Sequence, residues 1–358
     1  MFACGQPGAC LGDESGSGDP ATAVKTGVRL YTPEVAATVE DALKFLASRQ
    51  QRSGAIGKDA QVATTSLAGL AFLSAGNTLS RGRYAKILKN CVDFLLKSQN
   101  LNGYYNHPGD ALSRMHGHGF AIMFLAEAYG TSKPGPTERF NKLDNMKSSL
   151  KCAVNLAVQS QSPEGGWNYQ PGKGSRGHEG SITVCVVEGL RAARNAGIAV
   201  PNGTIDRAVE YMKKSWDGKA SFQYRLGQSG PSSFALAAAG ACVLLATGDQ
   251  SPEVQKMIKL ATHFVRSKPA GVTRETSQRF WFYGYFYATQ AMFVRGGDDW
   301  AEWYRDISKW LLDKKVATPN GCYWVSPSNE ASGDKGFATA MALLILQMPN
   351  QYLPIFQR

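Results

Sequence analysis

Two histidines separated by a single glycine, His116-Gly117-His118, open an apolar run that continues to Gly130. Imidazoles titrate near neutral pH, so the pair suits a ligand contact, proton transfer or a hydrogen-bond network, with a satisfied structural pair as the equal alternative. Other chemistry-bearing residues recur at the same kind of place, the start of an apolar helical run. Arg114 precedes the histidines, Glu179 opens the run that ends at Gly197, and Trp281, Tyr283, Tyr285 and Tyr287 open another. A carboxyl facing an apolar cavity has its pKa raised and stays protonated for use as an acid. Glu179 and His118 are therefore the candidate proton donors. His116, Arg114, Trp167, Trp281, Tyr283 and Tyr287 are the candidate ligand contacts, since ring faces steady positive charge; packing inside a helical core is the competing reading of the aromatic residues. Histidines at i and i+2 of a helix diverge by about 200°, and a zinc site needs three protein ligands plus an open position. No metal and no other cofactor is expected.

These positions belong to a repeated unit: a first helix, a turn of the form Gln-x-x-x-Gly-x-aromatic, and a very apolar second helix. The plainest copy spans Gln159 to Gly197, with Gln161-Ser162-Pro163-Glu164-Gly165-Gly166-Trp167 as its turn. Further turns stand at Gln50-Gln51-Arg52-Ser53-Gly54, Gln99-Asn100-Leu101-Asn102-Gly103-Tyr104 and Asn320-Gly321-Cys322-Tyr323-Trp324, and further copies span Ile205 to Gly248 and Val254 to Gly296. Six hairpins at a period of roughly 50 to 60 residues make one helical array. Trp167, Tyr104 and Trp324 are expected at equivalent positions, and Gly76, Gly130, Gly197, Gly248 and Gly296 as left-handed helix caps. Thr32-Pro33-Glu34 reads as the start of the first helix.

The Gln-x-x-x-Gly-x-aromatic turn resembles the repeat of the squalene cyclase and protein prenyltransferase superfamily, from about residue 30 to Arg358. His116-Gly117-His118-Gly119-Phe120, Gly189 to Gly197 and Tyr352 to Arg358 resemble a bacterial branch of prenyltransferase or squalene-oxidase repeat proteins. The resemblance implies an all-α fold, an (α/α)6 toroid of six helical hairpins, terpenoid cyclase/protein prenyltransferase-like, whose inner helices line a central cavity. It also implies an isoprenoid-type hydrophobic or diphosphate ligand. Two of that superfamily's active motifs are missing: Gly297-Asp298-Asp299-Trp300 lacks the first aspartate of the Asp-x-Asp-Asp acid, and Asn320 replaces the zinc-binding aspartate before Cys322, after which no histidine follows.

In such a toroid the six inner helices all begin on one rim, so Asp59 and Gln61, Arg114, His116 and His118, Arg176, His178, Glu179 and Ser181, Ser232 and Ser233, Trp281, Tyr283, Tyr285 and Tyr287, and Asp334 and Lys335 become neighbours. Converging helix N-termini suit an anion; capping alone is the other explanation of Ser181, Ser232 and Asp334. Three readings follow. One is a terpenoid-cyclase or prenyltransferase-like protein that binds or transforms an isoprenoid-type ligand in the central cavity. The second is a non-catalytic lipid- or polypeptide-binding module. The third is a carbohydrate-active, polysaccharide lyase-like enzyme using His118, Tyr283 and Arg279.

With 43% hydrophobic and 19% charged residues among 358, the chain can bury a large core. Residues 1–30 read as a disordered tail and 31–358 as one toroid domain. A formal net charge of +11 admits anionic partners or peripheral membrane contact, but the lysines and arginines are scattered along helices, without the block or module of a nucleic-acid binder. Cys91, Cys152, Cys185 and Cys242 are expected as buried free thiols, while Cys4 and Cys10 can pair in the tail. No apolar stretch reaches the roughly 18 residues of a membrane span, and the sequence leaves compartment and oligomeric state open.

Overall fold

The computed structural model describes residues 30–132, 140–173, 177–268 and 280–357. Residues 1–29 of the expected tail, with Cys4 and Cys10, lie outside the described residues, as do Arg176, Arg279 and most of the loops after the second hairpin and inside the fifth. The helices are α1 (Pro33–Ser48), α2 (Gln61–Ser74), α3 (Ala85–Lys97), α4 (Arg114–Gly130), α5 (Phe140–Gln159), α6 (Gly180–Asn195), α7 (Asn202–Lys214), α8 (Phe234–Leu245), α9 (Pro252–Arg266), α10 (Trp281–Arg295), α11 (Gly297–Lys314) and α12 (Lys335–Leu346). Odd-numbered helices are amphipathic and form the outer layer. Even-numbered ones are buried almost throughout, α8 from Phe234 to Leu244 without a break. Each inner helix packs on the next, and α12 packs on α2, so the ring of inner helices is closed. The fold is an α/α toroid.

The repeated turn explains how the outer helices are held. Gln161 Nε2 donates to Gly165 O inside its own turn and to Thr204 O at the start of α7, both at 2.8 Å. Gln99 does the same with Gly103 and Ser149 of α5, and Gln50 with Gly54 and Ile87 of α3. Glycine is required in the turn for two reasons. Gly165 has φ +99° and Gly321 φ +109°, and a methyl group at either would overlap a backbone carbonyl, that of Arg207 on α7 or of Asp41 on α1. The Gly321 contact joins the last hairpin to the first and closes the outer ring. The aromatic residue then plugs the hairpin. Trp167 Nε1 donates to Ala157 O of α5 at 2.7 Å and its backbone N–H to Thr183 Oγ1 of α6; Trp324 repeats both bonds with Leu311 and Thr339. In the second hairpin this place belongs to Tyr105, whose backbone N–H donates to the inner helix while its hydroxyl meets Ser149, and the expected Tyr104 is one residue off. The two-residue spacing from Gly165 to Trp167 matches Gly103 to Tyr105.

Thr32 Oγ1 accepts from Val35 N at the start of α1, as its sequence signal indicates. Positive φ is found at Gly76, Gly197, Gly248 and Gly296, but Gly130 is the last helical residue of α4 and makes no left-handed cap. Cys91, Cys185 and Cys242 are buried, whereas Cys152 is exposed on the outer face of α5. No helix among the described residues is long and apolar enough to cross a membrane. The C-terminal ends of the inner helices are covered by the chain after α12, where Met348, Leu353, Ile355 and Phe356 are buried and Ile355 N donates to Glu127 Oε1 at 3.2 Å.

Candidate functional site

At the opposite end, where the inner helices begin, a cavity of about 600 Å³ opens among α2, α4, α6, α8, α10 and α12. Its wall is mostly apolar and aromatic, with Phe120, Tyr169, Tyr224, Phe280, Tyr283 and Phe337 among the lining residues, and its polar members include Arg114, His116, Ser181 and Glu330. The phenols are tied to one another and to the helix starts: Tyr169 and Tyr224 share a 2.5 Å hydroxyl contact, and Tyr283 OH donates to Ser181 O at 2.9 Å. Burial raises the pKa of Tyr224 and Tyr283, so both stay neutral.

Three side chains are linked through this wall. His116 Nε2 lies 3.0 Å from Ser181 Oγ, and Ser181 Oγ donates to Glu179 Oε1 at 2.6 Å. With Ser181 donating to the carboxylate, His116 Nε2–H is the donor to Ser181, and Nδ1 is left for the cavity. Desolvation, reinforced by the Arg114 charge, pushes the His116 pKa down to about 4, so its ring is neutral near pH 7. Glu179 is fully buried behind Ser181 and caps α6 by accepting from Ser181 N and Ile182 N. Burial raises its pKa, and these hydrogen bonds and the Arg225 charge oppose the rise.

The other helix starts are also answered by side chains. Asp110 accepts from Val62 N on α2, Glu330 from Phe282 N and Tyr283 N on α10, and Asp334 from Gly336 N on α12, while Ser233 caps α8. Carboxyl groups therefore already sit on converging N-termini that an anion was expected to use, while Arg114 lines the same cavity. Among the described residues no side chain accepts from the first N–H groups of α4, and its first residue, Arg114, holds φ +49° in the left-handed region. Asn329, Ala331 and Ser332, in the loop beside Glu330, share that backbone region. Strained residues of this kind cluster at functional sites.

The sequence-derived candidates divide. His116, Arg114 and Tyr283 line the cavity, and Glu179 reaches it through Ser181. His118 does not: it is fully buried on the outer side of α4, its Nδ1 accepting from Tyr105 N and its Nε2 3.2 Å from Ala153 O. There it stands where Thr65, Thr183 and Thr339 stand in other hairpins, as the acceptor for the turn's backbone N–H. Two residues along a helix turn the ring from the cavity into the wall. Trp167 fills its hairpin, Trp281 is stacked between Tyr285 and Trp310 away from the cavity, and Tyr287 lies beneath Tyr283 with its hydroxyl 3.4 Å from Cys185 Sγ. Cys322 donates to Thr38 O of α1 and has no part in the site. Among the described residues no three His, Cys, Asp or Glu side chains group as metal ligands. Sequence reasoning missed Tyr169, Tyr224, Asp110 and Glu330. The first follows Trp167 by two residues in the best-marked turn, which is the one signal that pointed to it.

The fold and this site define an α/α toroid with an aromatic-walled cavity at the end where its inner helices start. No family model matches the chain, and no curated protein matches it in sequence. Similar solved structures include a D-mannose isomerase (TM-score 0.60, 13% identity, 89% of this chain and 98% of that one). Type II terpene cyclase MstE from Scytonema in complex with geranylgeranyl dihydroxybenzoate is another (TM-score 0.58, 13% identity, 93% and 100%). A third is an α-1,6-mannanase of Salegentibacter sp. in complex with α-1,6-mannotriose (TM-score 0.55, 9% identity, 88% and 98%). At such identities the likeness is one of fold.

Proposed function

We propose that the open-end cavity binds an uncharged, unsaturated hydrophobic ligand of isoprenoid type and that His116 exchanges a proton with it. The observation that carries this reading is the combination of an aromatic wall with one neutral imidazole whose Nε2 is held by Ser181 and Glu179. In its imidazolium form, with the ring charge balanced by Glu179 through Ser181, His116 gives the Nδ1 proton to an alkene carbon, and the ring, now neutral, takes a proton from a carbon beside the cation so formed, which completes an isomerisation or cyclisation. A ring with a pKa near 4 is a weak base, suited to a C–H next to developing cationic charge, which the faces of Tyr169 and Tyr283 stabilise. The likeness to a terpene cyclase with a geranylgeranyl compound bound supports a ligand of this size and polarity in such a fold. For the carbohydrate-active reading, His118 is walled in and Arg279 lies outside the described residues, and the cavity offers few polar groups to a sugar. Native mass spectrometry after incubation with geranylgeraniol or mannotriose tests the proposal. One retained equivalent of the isoprenoid alcohol, and solvent deuterium entering it only when His116 is present, is the expected result; retention of mannotriose instead would overturn it.

A further inference from the structure

The closed end of the barrel contains a second cavity, of about 340 Å³, between the C-terminal halves of α6, α8 and α10 and the chain after α12. Phe293 and Phe356 are among its apolar walls, and Glu188, Arg191, Cys242 and Gln290 also line it. Glu188 is 1% exposed and Gln290 5%, yet Glu188 Oε1 and Gln290 Nε2 have no hydrogen-bond partner. Leaving a buried donor or acceptor unmade costs about 1–3 kcal/mol, and here one of each belongs to residues that line the same cavity, from α6 and α10 on either side of α8. The Gln290 amide is oriented by the Cys242 thiol, which donates to Oε1 at 3.6 Å. That bond takes up the amide oxygen and leaves the NH2 group without a partner. Arg191 Nη1 stands 3.6 Å from Glu188 Oε1, close enough to balance its charge but too far to occupy the acceptor. Burial raises the carboxyl pKa and the Arg191 charge lowers it; a carboxyl oxygen accepts in either state.

We infer that this closed-end cavity is a binding site for a neutral primary carboxamide carrying an aromatic or aliphatic group. The carboxamide is the smallest planar group that offers a C=O to Gln290 Nε2 and an N–H to Glu188 Oε1 at once, and the charges of Glu188 and Arg191 offset each other, so a charged ligand gains nothing. Its apolar part lies against Phe293 and Phe356. The site is independent of the open-end cavity and of the reading given for it.

Benzamide, benzoate and benzylamine, titrated against the full-length protein by ligand-observed NMR, are the test. Benzamide binds saturably and about tenfold more tightly than either charged analogue. Gln290→Leu, which removes an unpaired buried donor and so leaves the fold intact by circular dichroism, weakens benzamide about tenfold. Glu188→Gln leaves Arg191 unpaired and shifts preference toward benzoate; should Gln290→Leu fail to fold, this reversal decides. Equal affinity of the wild type for benzamide and benzoate, unchanged benzamide binding in Gln290→Leu, or no saturable binding because the open atoms hold only ordered water, would each overturn the inference.

Discussion

Where the inner helices start, the buried carboxylates among the described residues are answered by backbone N–H groups or hydroxyls: Asp110, Glu179 and Glu330 each take at least one donor of a helix start, as does the half-buried Asp334. Where the inner helices finish, Glu127 Oε2, Glu188 Oε1, Gln290 Nε2 and Gln347 Oε1 are buried without a partner. Both ends belong to one ring of helices, and the difference teaches that polarity alone does not mark a working site. At the open end the carboxylates are spent on holding helix starts, Thr64 Oγ1 and Trp281 Nε1 are buried there without a partner, and one imidazole and aromatic faces line the cavity. At the closed end the polar groups are still available.

Both ends depend on the ring, and breaking it has the largest expected effect. Gly321→Ala places a methyl group into Asp41 O at φ +109° and should cost about 3 kcal/mol or more in denaturant unfolding; a loss under about 1 kcal/mol would show that the ring is not closed there. Next comes pH, which should act on Glu127 and on the two histidines in opposite senses. Burial raises the Glu127 pKa from 4.5 to about 7, so the folded state holds the proton more tightly. That contribution to stability is full below about pH 4.5 and is lost as pH rises to about 7, by roughly 3 kcal/mol at most. Burial pushes His116 and His118 down to about 4 from 6.5, so their contribution is full above pH 6.5 and is lost as pH falls toward 4. Unfolding measured between pH 4 and 8 should therefore show a smaller alkaline fall in Glu127→Gln, the rest belonging to Glu179, Glu188 and Glu330, whose pKa values burial also raises, and should keep its acid fall; an unchanged alkaline fall contradicts the assignment.

The two histidines sharpen the same contrast within one helix. His118→Ala removes the acceptor of Tyr105 N and a packed ring, at about 2 kcal/mol. His116→Ala should change stability by less than about 1 kcal/mol, because one side of its ring faces an open cavity. Equal losses in thermal or chemical unfolding would place both rings in the wall.

How much of this was legible follows the same division. The hairpins were readable because Gln161, Gly165 and Trp167 each have a fixed backbone partner, which makes the turn recur in sequence. His116 and Tyr283 were readable as cavity residues because they stand at the starts of apolar runs that must converge. His118 was misplaced because its equivalents in other hairpins are threonines, and nothing in an imidazole says that it replaces a hydroxyl. Trp281 and Tyr287 start the same helix as Tyr283 but point elsewhere, which helical phase decides and a rim position does not. Glu330 was invisible because its bonded partner, Tyr283 N, stands 47 residues earlier in sequence, and only the packing of neighbouring hairpins brings them together.

The most direct test of the central claim is to fill the open-end cavity and read ligand retention. Ala63 lines that cavity on α2, and Ala63→Phe should leave helical content unchanged while abolishing the geranylgeraniol-bound species in a native mass spectrum, whereas Gln290→Leu at the closed end should leave it intact. Equal retention by wild type and Ala63→Phe would contradict the account.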